Sequence, residues 1–151
     1  MRNGLFASML LAAMILGAGC SARVNNTMGA PPPGPDGMLI HITAGPADAH
    51  RAMMALHMAR LMSEQRPVLV YCDIEAVRLL TADAPLIEME PFGSSRDLLA
   101  TLADRGVTVM ACPGCLKKAG YGPGDLIDGI RVAEKDAFFT FTDGRIVTLD
   151  Y

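Results

Sequence analysis

From Met38 onward the chain switches repeatedly between two hydrophobic periods, and this alternation restricts the possible fold more than any other feature. Short β-rich apolar runs stand at residues 38–43, 67–72, 107–111, 130–132 and 146–149. Helical spacing fills the intervals. Residues 47–65 put Ala49, Ala52, Met53, Leu56 and Ala59 on one face and leave Asp48, Arg51 and Ser63 largely off it. Gly45-Pro46 closes the first strand, and Pro46 suits the first turn of that helix. Residues 74–81 read as a short helix. A loop with Pro85 and Pro91 then leads to a helix over 95–104, which Ser94 or Ser95 can cap. A further short helix runs to about residue 119. Strand and helix in steady alternation predict an α/β fold, a parallel sheet with helices on both faces. Ligand chemistry in such sheets collects at the carboxyl ends of the strands, where Cys72 and Cys112 both lie.

One stretch admits two readings. Asp143-Gly144 is a strong hairpin signal, so residues 138–146 can form an antiparallel pair. Residues 134–142 can equally form a short crossover helix ending at Gly144, with the last strand parallel to the others. The residues by themselves slightly favour the hairpin.

The start of the chain reads as an export signal. Arg2 supplies a positive charge, residues 5–16 an almost unbroken apolar run, and Gly17-Ala18-Gly19 small residues immediately before Cys20. The run is shorter than the roughly 20 residues a membrane-spanning helix needs. Cys20 in this position resembles the lipidated cysteine of bacterial lipoproteins, although Gly17 stands where such signals usually carry a large aliphatic residue. The expected organisation is a signal peptide over 1–19, a Pro/Gly-rich tether over 20–37 beginning at lipidated Cys20, and one folded domain over 38–151. This predicts export and a lipid anchor on the periplasmic side of a bacterial membrane. With 13 basic against 16 acidic residues and no basic stripe, the chain is not expected to bind nucleic acid.

The segment most charged with chemistry is Gly106-Val107-Thr108-Val109-Met110-Ala111-Cys112-Pro113-Gly114-Cys115-Leu116-Lys117-Lys118. A strand hands over to a helix at a C-x-x-C pair. A thiol at such a junction faces free backbone N–H groups, which favour the thiolate, and Lys117 and Lys118 are expected to help. Cys112 is therefore the candidate reactive thiol. Cys115, one turn on, is the candidate resolving thiol, less exposed and less acidic. A plain local disulfide or an inert pair is the competing reading. A thioredoxin-like arrangement fits poorly, since there the motif follows an early strand.

Residues 39–46, the small-residue helix after them, the strand ending in Cys112, Gly120 and the run Asp125-Leu126-Ile127-Asp128-Gly129-Ile130 together resemble the DsrE/DsrF/TusD sulfur-relay family. The resemblance implies a Rossmann-like three-layer sandwich with a mostly parallel five-stranded sheet, a helix rather than a hairpin at 134–142, and assembly into trimers or hexamers. It also implies a persulfide carried on Cys112 and exchanged with a protein sulfur donor or acceptor, with no cofactor. The chain departs from most relatives in its export signal and in Cys115.

The alternative function is a non-catalytic binding or assembly module of the same fold, holding a soft metal such as copper. Cys72, Cys112 and Cys115 would have to converge at the strand ends, with thioethers from Met53, Met54, Met58, Met62 and Met110. Ordinary core packing explains the methionines more simply, and Cys72 reads as a small buried residue. His50 and His57 read as flank residues of one helix, and His41 as a satisfied core histidine. Ala44-Gly45-Pro46-Ala47 has one glycine and a proline without an N–H, so no phosphate-cradling loop follows the first strand. Glu88 and Glu90 read as exposed rim charges.

Overall fold

Each of the expected apolar runs forms a strand of one parallel sheet in the computed structural model, which describes residues 34–151. The signal over 1–19, Cys20 and the tether as far as residue 33 lie outside the described residues. β1 (Gly37–Ile42) leads through a 3-10 turn at Pro46–Asp48 into α1 (Ala49–Met62), and β2 (Val68–Cys72) follows. A 3-10 turn at Ala76–Leu79 and a small antiparallel hairpin, β3 (Glu88–Met89) with β4 (Gly93–Ser94), precede α2 (Ser95–Asp104). Then come β5 (Thr108–Ala111), α3 (Pro113–Lys118), β6 (Arg131–Val132), α4 (Ala137–Thr140) and β7 (Ile146–Asp150).

The helix starts follow local chemistry. Asp48 accepts a hydrogen bond from the Arg51 N–H at 3.4 Å, and Ser94 one from the Asp97 N–H at 3.0 Å, each satisfying a first-turn donor. Period-2 alternation then divides the strands between two faces. Met38, Ile40, Ile42, Val68, Val70, Cys72, Val109 and Ala111 pack with Ala52, Met53, Leu56 and Ala59 of α1 and Leu98, Leu99 and Leu102 of α2. Fully buried members such as Ile40, Leu56 and Leu102 contribute about 1.5–3 kcal/mol each by leaving water. The opposite face carries Leu39, His41, Leu69, Tyr71 and Met110, and Phe138 of α4 packs edge-on against the Tyr71 ring.

The strand order is β6-β5-β2-β1-β7. From β1 the chain steps outward through β2 and β5 to β6, then returns to place β7 on the other side of β1. The order therefore reverses between β1 and β7, and His41 and Asp150 are register partners at that reversal. Reversals of this kind open a crevice at the carboxyl ends.

Three expectations are corrected. β7 pairs parallel to β1 after a short helix, so Asp143-Gly144 makes no hairpin. Residues 74–81 contain only the 3-10 turn, because Ile74 adopts φ +48° and cannot begin a helix. β1 starts at Gly37, and the Pro35 carbonyl accepts a hydrogen bond from Thr142 Oγ1 at 2.6 Å, so the end of the stretch read as tether belongs to the fold. Among the described residues no helix is long and apolar enough to cross a membrane.

Candidate functional site

β5 ends at Ala111, and Cys112 keeps the extended conformation (φ −61°, ψ 122°) while capping α3, with Pro113 at the first helical position. Its N–H donates to the Cys72 carbonyl at 2.8 Å, which extends the ladder by one residue and fixes where the thiol stands. Buried Leu116, whose N–H donates to the Cys112 carbonyl at 2.9 Å, seats the helix. Cys112 and Cys115 are both half-buried free thiols, so the two do not differ in exposure as expected.

They differ in acidity. Burial pushes the Cys112 thiol up, but the Tyr71 hydroxyl, the N–H and thiol of Cys115 and the Gly114 N–H favour its thiolate and hold it below the ordinary range. For Cys115 the Ile74 N–H pulls downward, yet burial and the Cys112 thiolate outweigh it and leave that thiol above the ordinary range. The groups that act most on Cys112 are thus Tyr71, Cys115 and Gly114. Lys117 and Lys118, expected to help, are exposed in the last turn of α3.

Sequence reasoning missed Tyr71. It pairs with Met110 across β2 and β5, and alternation puts Cys112, two residues past Met110, on the same face. His41 stacks on the Tyr71 ring with centroids 5.5 Å apart and planes at 22°, while Phe138 meets it edge-on at 5.0 Å. Burial and the neighbouring Cys112 hold the phenol firmly protonated, so it acts as donor.

His41 is not a core histidine. Nδ1 lies 2.8 Å from Asp150 Oδ1 and Nε2 lies 3.1 Å from Asp73 Oδ1. A recess of 320 Å³ opens there, lined by His41, Thr43, Arg51, Asp150 and Tyr151. A smaller one of 140 Å³ lies beside Cys115, between Ile74, Glu75, Arg78, Lys118 and Ala119.

Cys72 takes no part. Its side chain is fully buried on the opposite sheet face, and burial drives its thiol far up. The three cysteines therefore do not converge, and among the described residues no group of three or more His, Cys, Asp or Glu side chains is placed to hold a metal ion. Met53 and Met110 are fully buried, and Met58 and Met62 pack against the core. His50 and His57 pack on Phe92, at 6.0 and 5.2 Å between ring centroids. Glu88 and Glu90 are exposed.

Comparison with known proteins agrees with this architecture. The model of the DsrE/DsrF-like family matches residues 36–143. The YchN protein of E. coli superposes with a TM-score of 0.58 at 18% identity, over 76% of this chain and 97% of that one. MTH1491 of Methanobacterium thermoautotrophicum, a protein of unknown function, gives 0.58 at 17% identity, over 78% of this chain and 100% of that one. Among curated proteins none matches the sequence.

Proposed function

The chain belongs to the DsrE/DsrF-like family, and from that premise we propose that it is a sulfur carrier in which Cys112 holds sulfane sulfur as a persulfide and Cys115 resolves it. The observation that carries this reading is the placement of free Cys112 at the junction of β5 and α3, as the N-cap, with free Cys115 one helical turn on. A carrier needs one thiolate that attacks near neutral pH and a second thiol that waits; the groups around Cys112 favour its thiolate, while burial and that thiolate outweigh the Ile74 N–H at Cys115.

In loading, the Cys112 thiolate attacks the outer sulfur of a donor persulfide. A new S–S bond forms on Cys112, the donor's S–S bond breaks, and the donor leaves as a thiol. In unloading to a partner, the acceptor thiolate takes the outer sulfur and returns Cys112 as thiolate. Alternatively Cys115, once deprotonated, attacks the Cys112 sulfur and expels hydrosulfide. The two thiols are then oxidised to a disulfide while the sulfane sulfur is reduced to sulfide, and electrons balance. We place the carrier outside the cytoplasm on a lipid anchor at Cys20, exchanging sulfur with a protein donor or acceptor and assembling with copies of itself.

The test is mass spectrometry of the reduced protein after incubation with a small-molecule persulfide donor. The Cys112 peptide should gain one sulfur, Cys112→Ser should gain none, and Cys115→Ser should retain the sulfur longer because the resolving attack is gone. Equal loading of the Cys112→Ser protein, or faster loading on Cys115, contradicts the assignment.

A further inference from the structure

His41 stands beside Tyr71 through the register of β1 and β2, and the rings stack at 5.5 Å. Both imidazole nitrogens face carboxylates, Asp150 from β7 and Asp73 from the residue after β2. A neutral imidazole has a single N–H to offer Asp150, whereas the cation is also attracted to the Asp73 carboxylate beside Nε2. Arg51 of α1 lines the same recess and meets Asp48 at 3.2 Å. On the Tyr71 side α4 contributes Phe138, an uncharged ring, and Cys112 follows β5 at the hydroxyl end.

A cation against the face of a phenol ring is attracted by its π density, and it draws electrons from the ring, which strengthens the O–H as a donor. On the sheet face that Tyr71 shares with Cys112, this hydroxyl is the side chain that most favours the Cys112 thiolate. We propose that His41, clamped between Asp73 and Asp150 and stacked on Tyr71, is a positioning residue that sets the reactivity of Cys112 through the Tyr71 hydroxyl. The inference rests on Cys112 as the working thiol of the proposed carrier, but not on sulfur being what it carries.

The sign of the pH dependence follows from the two carboxylates. Burial opposes the His41 cation, yet Asp150 and Asp73 outweigh burial and hold its proton to a higher pH than usual. The cation supports the thiolate below that raised value and is lost as pH climbs through it. By reciprocity the Cys112 thiolate helps hold the His41 proton, so the two titrate as a pair.

The experiment is the rate of iodoacetamide labelling of Cys112 against pH, read on the Cys112 peptide of the full chain by mass spectrometry, with circular dichroism to check folding. Tyr71→Phe should shift the titration upward and slow labelling at neutral pH by roughly threefold to tenfold, since a whole pKa unit is a factor of ten. His41→Asn should shift it the same way by less. Asp150→Asn, at an exposed edge position that leaves the Tyr71 stack intact, should lower the pH at which His41 titrates and give a smaller shift again. Added to Tyr71→Phe, His41→Asn should change nothing further. An unchanged profile in Tyr71→Phe overturns the proposal, and so does a His41→Asn effect of the same size with or without the hydroxyl. Shifted labelling without persulfide loading would instead count against the carrier reading alone.

Discussion

Ile74 holds a backbone conformation that its own side chain disfavours. A β-branched residue at φ +48° costs about 1–2 kcal/mol relative to ordinary right-handed backbone. The turn that imposes it directs the Ile74 N–H at the Cys115 sulfur and sets Asp73 against His41. The side chain is 58% exposed, so its own burial returns little. Ile74→Asn, a residue that visits the left-handed region readily, should therefore raise stability by about 1 kcal/mol, read as a higher urea midpoint at unchanged slope. A lower midpoint would mean that the isoleucine side chain, not the backbone, holds this corner. The placement of Cys112 and Cys115 was legible in the sequence because a strand-to-helix junction at a C-x-x-C is local. Tyr71 and the His41 clamp were not, because register joins them across the sheet and His41 meets Asp150 from 109 positions away.

At the scale of elements the same limit decides the end of the chain. Asp143-Gly144 looks like a hairpin turn, yet Gly144 is not among the glycines with positive φ. Its lack of a side chain serves close approach instead: a Cβ there would collide with the Pro35 carbonyl and lie 2.7 Å from the Asp36 nitrogen. The strand leading into β1 is pinned at this point. Asp36 takes two hydrogen bonds from the Arg145 guanidinium, at 3.1 and 2.7 Å, and a third from the Arg145 N–H at 3.1 Å. That guanidinium beside it holds the Asp36 carboxyl below the usual range. Gly144→Ala should then cost about 1–3 kcal/mol by overpacking, measured by chemical denaturation. Gly124→Ala, whose Cβ meets nothing within 4 Å, should fall within about 0.5 kcal/mol of the native protein. Equal effects at the two sites would remove close approach as the reason for Gly144. The parallel architecture, the burial face of α1 and the Ser94 cap all follow from periodicity and local chemistry, which a sequence displays. Whether the last strand adds beside its predecessor or crosses to the far edge depends on a contact with residues 34–37, which it does not display.

On the scale of the whole molecule, the thiol site lies at the carboxyl end of a sheet whose second face is only partly covered. Phe139 of α4 is 69% exposed, and Ile146 and Val147 on edge strand β7 are exposed as well. The proposed carrier would work by meeting other proteins, and the proposed membrane anchor would confine those meetings to one compartment. That anchor is proposed from composition: a short apolar run over residues 5–16, small residues, then Cys20. Because Cys20 lies 17 residues before β1, which starts at Gly37, losing the anchor should leave the domain and its chemistry intact. Cys20→Ala should abolish incorporation of labelled fatty acid and move the protein from the membrane fraction to a soluble or unprocessed form. Its Cys112 labelling profile should match that of the native protein. Fatty-acid incorporation that survives in Cys20→Ala would refute the lipidated cysteine, and an altered Cys112 profile would mean that the anchor bears on the thiol chemistry.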